Sequence, residues 1–390
     1  MEFPWFQGEP VWELARVQPQ LHAAIRDQVP QLAGLLTDLS SHFPAQTQPV
    51  PGQWGAYQRP RSHWRAFYYS IGPHSVLAVK GSEAHSQDFS AMLDVMARQS
   101  ASLSYSIARP GAPHRHSQAV MSVLERFLFI ENKLPGVVTL GEALSQAQRS
   151  CQFQAAHLRQ HGQLARVPLP LLVHRIHPGQ TGQIVSQICS RVEADHHPRV
   201  QALATDGLGV LIYWYPALPL RVAHLEIPPL SAQVSLQQRL SALGHGDLPG
   251  LIVDRWTQLL ARMLCLGYVP ADPLSSLQGL CLEAHNLTLD GGMVDLDSLR
   301  PMASFPNQAH VQLALERSLE VLTQSLIQFL SGDPAHLTAA SGAVREQVAR
   351  LCREAGDRGH LMPEPLARFL NAQSAFDSLV LSLQSSLDLE

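Results

Sequence analysis

The chain has 390 residues, of which 45% are hydrophobic and 15% are charged, and its formal net charge is −4. This length exceeds what one hydrophobic core usually supports, so we expect at least two lobes. The small negative charge and the absence of a long basic run argue against nucleic acid as a partner, and no uncharged apolar stretch is long enough to span a membrane.

The N-terminus and the cysteines indicate a cellular compartment. Residues 1–5 lack the basic and then apolar layout of a secretory signal peptide. The five cysteines are scattered along the chain and odd in number, a pattern typical of reduced thiols rather than of a disulfide framework. We therefore expect a cytoplasmic protein.

The N-terminal segment reads as helical. Residues 11–43 carry leucine, valine and isoleucine at helical spacing, and Pro19 and Pro30 divide them into short helices. Residues 44–55 are rich in proline, glycine and glutamine, which is typical of a linker. We therefore expect a helical extension over residues 1–50.

Strands dominate the next part of the chain. Trp64–Ser70 and Ser75–Lys80 flank a short turn, which predicts a hairpin. Residues 117–133 carry a broad apolar face at helical spacing and predict a helix. Pro168–Ile176 and Leu208–Tyr215 are apolar enough to be buried strands.

The last part of the chain is predicted to be helical. Pro216-Ala-Leu-Pro219 is a natural break between two lobes. The predicted helices that follow are 231–243, 251–267, 308–331, 341–354 and 363–384. A mixed lobe over residues 51–219 followed by a helical lobe over residues 220–390 predicts an α+β, two-lobed, protein-kinase-like fold.

A hairpin that could hold a metal ion lies inside the helical part. Leu287–Leu289 reads as a short strand, Asp290-Gly291-Gly292 as a tight turn, and Met293–Leu296 as the returning strand. Asn286 and Asp295 then lie at the open end of this hairpin. An amide oxygen and a carboxylate are suitable ligands for Mg²⁺, whose other positions would be taken by phosphates and water. An ordinary surface hairpin would show the same pattern.

Three neighbours of these residues are further candidates. Asp297 lies two residues beyond Asp295 and could share the metal ion. His285 titrates near neutral pH and could act as a general base, or it could be a packed structural histidine. Glu283 is another candidate base.

Lys80 is a candidate ligand of nucleotide phosphates. It ends the apolar strand Val76–Lys80, and only one other lysine, Lys133, occurs in the chain. Glu131 follows in the predicted helix and could pair with Lys80, with Glu125 as its rival. The order of strand lysine, helix glutamate, break, asparagine and aspartate is the order found in kinase-like enzymes.

An ordered set of short motifs resembles the selenoprotein O family. The chain has Lys80-Gly81, Arg126-Phe-Leu-Phe-Ile-Glu131, Arg175-Ile-His-Pro178, and Asn286 nine residues before Asp295. The resemblance covers roughly residues 75–300. It implies a kinase-like fold, ATP and Mg²⁺ as cofactors, and transfer of AMP to hydroxyl groups of proteins, with Lys80, Glu131 and Arg175 on the nucleotide.

The sequence departs from that family at several positions, and alternatives stay open. The family has an aspartate as base where this chain has His285, and its second arginine falls on Gly182. Transfer of phosphate instead of AMP is one alternative. A second is carboxylate adenylation and ligation, because Glu283-Ala-His-Asn286 is similar to a segment of siderophore synthetases. A third is a catalytically silent pseudokinase that binds a partner in peptide or natural-product maturation. The acceptor is a protein, a peptide or a small molecule.

Overall fold

The structure is a computed structural model that describes most of the chain. The described residues are 8–28, 55–56, 66–72, 75–82, 84, 89–107, 115–130, 132–215, 248–270, 282, 286–288, 291–296, 298–330, 337–359 and 362–371. The fold is α+β, as predicted. Contacts divide the chain into two compact units, Met1–Cys151 with Leu169–Trp214 and Gln152–Pro168 with Tyr215–Glu390.

The first unit is built on a mixed set of short and long strands. They are β1 (Gly8–Glu13), β2 (Gly55–Ala56), β3 (Ala66–Gly72), β4 (Ser75–Lys80), β5 (Ser100–Ile107), β6 (Arg115–Ser122), β7 (Val138–Thr139), β8 (Leu169–Ile176) and β9 (Leu208–Tyr215). The main sheet has the order β1-β8-β9-β4-β3-β2, and β7 also pairs with β9. The β3–β4 hairpin and the strands β8 and β9 confirm the sequence-based predictions. All residues of β9 are buried, as expected for a strand covered on both faces.

The helices of the first unit precede or connect these strands. They are α1 (Leu14–Val17), α2 (Pro19–Gln28), α3 (Phe89–Arg98), α4 (Val123–Glu125), α5 (Leu140–His161), α6 (Pro178–Cys189) and α7 (His197–Leu203). The helix α5 runs on into the second unit after Cys151. Residues 14–28 are helical as predicted, and α2 begins at Pro19, where a proline needs no amide donor.

Two elements of the first unit differ from the predictions. Residues 8–13 form β1, which pairs with the edge of β8, so the N-terminal segment is not only helical. The predicted helix over residues 117–133 was wrong for residues 117–122 and right for residues 123–130. Residues up to Ser122 belong to β6, which pairs along its whole length with β5, and a helical turn starts only after Ser122 and continues as a π-helix over Arg126–Ile130.

The second unit is mainly helical. It contains α8 (Leu248–Cys265), α9 (Gln308–Leu330), α10 (Leu337–Asp357), the short strand pair β10 (Tyr268–Val269) and β11 (Arg300–Pro301), and a helical segment over residues 364–371. These helices confirm the predicted helices 251–267, 308–331 and 341–354, and they confirm the helix 363–384 as far as residue 371. Residues 231–243 and 372–384 lie outside the described part. Trp256 on α8 is fully buried in the core of this unit.

Candidate functional site

Lys80 is held by a hydrogen bond at the end of β4. Its side chain is 9% exposed, and Nζ donates to Oε1 of Gln146 on α5 at 3.0 Å. Nε2 of Gln146 in turn donates to Oε1 of Glu142 at 3.2 Å. Burying an ammonium is costly unless its protons are bonded, so this chain of contacts orients Lys80 and links it to a carboxylate.

The helix α5 is fixed where it begins. The hydroxyl of Thr139 accepts a hydrogen bond from the backbone N–H of Glu142 at 3.1 Å, which is the bond of an N-terminal cap. Gln146 follows one helical turn after Glu142 and therefore lies on the same face. The sequence analysis missed Gln146, although Thr139-x-x-Glu142 is a recognisable start of a helix.

The backbone conformation and the close contacts at position 81 explain why a glycine follows Lys80. Its φ angle is +94°, and a Cβ atom at this position would lie 2.6 Å from the carbonyl oxygen of Gly209 on β9 and 2.8 Å from Cγ2 of Val138. A residue with a side chain does not fit there without movement of the backbone. The Lys80-Gly81 pair is therefore required by the close approach of β4 to its neighbours.

The two predicted glutamate partners of Lys80 have different outcomes. Glu131 lies outside the described residues, so its pairing with Lys80 stays a prediction. The carboxylate of Glu125 accepts hydrogen bonds from the backbone N–H and the hydroxyl of Ser122, at 2.7 Å and 2.8 Å. These bonds, the backbone one first, lower the pKa of Glu125. Glu125 thus completes the capping box that starts α4.

Arg175 lies near the end of β8 and contacts an edge strand. Its Nη1 is 3.2 Å from Oε1 of Glu9, and the two side chains are 50% and 67% exposed. The two residues are also opposite each other in the ladder between β1 and β8. An ion pair this exposed adds little to stability. The role of Arg175 at a nucleotide stays a prediction.

The hairpin around Asn286 and Asp295 is present. Leu287 and Met293 form an antiparallel bridge. The backbone N–H of Val294 donates to the carbonyl of Asn286 at 2.9 Å, and that of Thr288 to the carbonyl of Gly292 at 3.0 Å. The antiparallel return predicted from the sequence is therefore confirmed. Asn286 lies opposite Val294, and Asp295 is the next residue after Val294, so both Asn286 and Asp295 are at the open end of the hairpin.

The returning arm of the hairpin is anchored by Tyr215. The hydroxyl of Tyr215 lies 2.9 Å from the carbonyl oxygen of Met293 and 3.1 Å from that of Arg166. The backbone N–H of Met293 donates to the same carbonyl of Arg166 at 3.0 Å. A Cβ atom on Gly292 would come within 2.4 Å of both the Arg166 carbonyl and the Tyr215 hydroxyl, so only glycine fits.

The outgoing arm is anchored by Trp256. Its indole N–H donates to the carbonyl of Thr288 at 2.7 Å, and the Thr288 hydroxyl accepts from the backbone N–H of Gly292 at 2.8 Å. Both Trp256 and Thr288 are fully buried. Because side chains from several parts of the chain hold it, this hairpin is a core element of the second unit and not an ordinary surface turn.

The donor set at the open end suits a hard cation. Asn286 is buried and Asp295 is half-buried, and both offer oxygen ligands of the kind that Mg²⁺ prefers. Mg²⁺ commonly uses only one or two protein carboxylates. Within the described part of the chain, no group of three or more His, Cys, Asp or Glu side chains is placed to hold a metal ion. Glu283, His285 and Asp297 lie outside the described residues.

No protein-family model matches the chain, and a comparison with curated proteins finds no match. Among the described helices, none is both long and apolar enough to cross a membrane.

Proposed function

We propose that the chain is an ATP- and Mg²⁺-dependent transferase of the kinase-like superfamily, which moves AMP or phosphate from ATP to a protein or peptide acceptor. The observation that carries this proposal is the buried Lys80 at the end of β4, hydrogen-bonded to a side chain of α5. In protein kinases the lysine that contacts the ATP phosphates is on a sheet strand and is oriented by a helix residue. Gln146, with Glu142 behind it, supplies such a contact here.

The position of β4 in its sheet supports the proposal. β4 lies between β3, its hairpin partner, and β9. β9 is the strand that leads to the predicted break at residues 216–219. A sheet with the lysine strand beside the strand that leads to this break is compatible with a kinase-like N-terminal lobe, and the helical second unit is compatible with a C-terminal lobe.

The hairpin of the second unit carries the proposed metal ligands. Asn286 and Asp295 would hold Mg²⁺, which neutralises charge on the triphosphate when bound. In AMP transfer the acceptor hydroxyl oxygen forms a bond to the α-phosphorus, the bond between the α-phosphorus and its bridging oxygen breaks, and pyrophosphate leaves. His285 or Glu283 would take the hydroxyl proton.

A catalytically silent, ATP-binding pseudokinase is the second candidate. It is favoured by the departures of the sequence from the selenoprotein O family, which has an aspartate as base where this chain has His285. Such a protein would bind nucleotide without transferring any part of it.

The two candidates are separated by a binding assay and a transfer assay on the full chain. A thermal-shift titration with ATP, with and without Mg²⁺, measures binding, since a ligand stabilises the folded state according to its concentration over its Kd. ATP labelled at the α- or at the γ-phosphate, incubated with candidate acceptors, distinguishes AMP transfer from phosphate transfer. Saturable binding without incorporation of either label supports the pseudokinase, and no saturable binding contradicts both candidates.

Asp295→Asn tests the metal position, because it keeps the shape of the side chain and removes its charge. We expect Mg²⁺-dependent ATP binding to weaken at least about tenfold, with little change in the melting temperature without ligand. Asp357→Asn, at an exposed helix end of the same unit, is the matched control and should bind normally. If Asp297→Asn abolishes binding while Asp295→Asn does not, the metal ligand has been assigned to the wrong residue.

A further inference from the structure

Two buried cysteines meet in the core of the second unit. Cys265 is the last residue of α8, and Cys352 lies on α10. Both are free thiols, with 6% and 0% of their surface exposed, and a hydrogen bond joins their side chains. The function proposed above uses neither of them.

The helices α8 and α10 approach each other closely at these cysteines. The two helices pack against each other, and the Cys352 sulfur lies 3.9 Å from the backbone carbonyl oxygen of Ala261, one helical turn before Cys265. Small residues on both helices, Ala261 and Ala355, leave room for this approach. Two thiols in contact across so close an interface are suitably placed for a disulfide, which needs Cα atoms about 4.4–6.8 Å apart.

A cavity gives small molecules access to Cys265. The cavity has a volume of about 440 Å³, and residues of α8 and α10, Cys265 among them, line it. Arg350 and Arg358 are also on its wall, and their side chains are 53% and 71% exposed, so the cavity reaches the surface. Its volume is many times the roughly 30 Å³ that one water molecule occupies in the liquid. A small oxidant can therefore reach Cys265, and Cys352 lies behind it.

The two thiols also differ in acidity. The hydrogen bond from Cys352 lowers the pKa of Cys265, although burial acts in the opposite direction. The same hydrogen bond and then burial raise the pKa of Cys352. Because the thiolate is the nucleophile in cysteine chemistry, Cys265 is the thiol that reacts first, in agreement with its position at the cavity.

We propose that Cys265 and Cys352 are a redox pair that hydrogen peroxide converts to a disulfide. The Cys265 thiolate attacks one oxygen of the peroxide, so that an S–O bond forms, the O–O bond breaks, hydroxide leaves and Cys265 becomes a sulfenic acid. The sulfur of Cys352 then attacks the sulfur of Cys265, so that the S–S bond forms and the S–O bond breaks. The leaving hydroxide takes up the proton of the Cys352 thiol as water. The two thiols together lose two electrons, which reduce one peroxide to two water molecules.

The disulfide would join α8 to α10 covalently. The contact between Ala261 and Cys352 spans 91 positions of the sequence, and a cross-link that closes a loop of this order restricts the unfolded chain and stabilises the folded one. The helix α8 also carries Trp256, whose indole N–H holds the hairpin at Thr288. Oxidation would therefore reinforce the helix that supports this hairpin, whereas two purely structural cysteines would contribute packing alone.

The test exposes the reduced, folded full chain to hydrogen peroxide and maps its cysteines. Remaining thiols are alkylated in denaturant, and peptides are identified by mass spectrometry. Trypsin leaves Cys265 and Cys281 in one peptide, so chymotrypsin, which can cut after Tyr268, is added to separate them. We expect a peptide pair linked through Cys265 and Cys352 that disappears on treatment with dithiothreitol. The oxidised chain should melt at least about 5 °C higher than the reduced one.

Alanine variants separate the roles of the two thiols. Cys352→Ala should stop at the sulfenic acid of Cys265, which a sulfenic-acid probe labels. Cys265→Ala should leave Cys352 reduced, because Cys352 is fully buried, and peroxide should no longer raise the melting temperature. Cys151→Ala is the matched control, since it removes a buried cysteine of the first unit, and it should form the disulfide as the unaltered chain does.

Three results would overturn the proposal. The first is oxidation of the half-buried Cys189 of the first unit while Cys265 and Cys352 stay reduced. The second is a disulfide that joins Cys265 or Cys352 to another cysteine, and the third is a Cys265–Cys352 disulfide that forms only in denaturant. If an alanine variant does not fold, the peptide map of the unaltered chain decides.

Discussion

Replacement of Tyr215 by phenylalanine tests whether the hydroxyl of this residue holds the hairpin in place. Tyr215 is fully buried, and its single hydroxyl proton is shared between the carbonyls of Met293 and Arg166 at 2.9 Å and 3.1 Å. In the variant, the Arg166 carbonyl keeps the N–H of Met293 as a donor. The Met293 carbonyl loses the only donor that the described residues provide.

The expected loss of stability follows from the Met293 carbonyl that is left without a donor. A buried carbonyl left without a donor costs about 1–3 kcal/mol, so we expect Tyr215→Phe to lower the free energy of unfolding of the second unit by about 2 kcal/mol. For a unit of this size, this corresponds to a decrease of about 4–8 °C in melting temperature. Urea unfolding followed by tryptophan fluorescence measures it, because the buried Trp256 belongs to the same core. The slope m should not change.

Tyr268→Phe is the matched control in the same unit. The ring of Tyr268 packs edge-on against Phe153 at 5.4 Å between centroids, and its hydroxyl has no hydrogen-bond partner among the described residues. The change should therefore stay within about 0.5 kcal/mol. If Tyr215→Phe is no more destabilising than Tyr268→Phe, the hydroxyl of Tyr215 does not anchor the hairpin.

Two further predictions concern backbone geometry and pH. Gly81→Ala should destabilise the first unit by more than about 2 kcal/mol in urea unfolding, since the φ angle is +94° and the new Cβ would lie 2.6 Å from the Gly209 carbonyl oxygen. The control is Gly182→Ala, which changes a helical position with nothing within 4 Å of the new atom and should be neutral or stabilising. Equal effects of the two changes would contradict the close approach at Gly81. Burial lowers the pKa of His157 and of His174 to about 4 from 6.5. The folded state therefore favours the neutral rings, and their full contribution to the free energy of unfolding is present above pH 6.5 and is lost as the pH falls toward 4. The loss is up to about 3 kcal/mol per histidine. Urea midpoints between pH 7 and 5 measure it, and His174→Phe should flatten this pH dependence in the first unit; an unchanged slope would show that His174 titrates normally.

Several elements were predictable because their signals are local. The β3–β4 hairpin, β8 and β9 follow from short apolar runs bounded by turn residues, and α8 and α9 follow from the helical period of their apolar residues. The hairpin at residues 287–293 follows from two glycines between short apolar arms. In each case, neighbouring residues alone carry the information.

Residues 117–122 were mispredicted as helix because their apolar pattern fits either structure. The pairing partner β5 is separated from β6 by residues 108–114, and the eight residue pairs between them decide in favour of a strand. The capping box between Ser122 and Glu125 then sets where the helical turn starts. The strand β1 was missed for a related reason, because it forms on the edge that β8 offers.

The sequence by itself determined the α+β class, the strand that ends in Lys80 and the hairpin between Asn286 and Asp295. Only the tertiary structure decided what surrounds them. The contact between Lys80 and Gln146 joins residues 66 positions apart, and His157 and Arg262 come to one cavity from different helices. Such contacts depend on how the helices pack, and packing is set by the complementarity of buried surfaces along the whole chain. Short motifs predict which residues belong to a site, but the residues that contact them can be identified only from the folded structure.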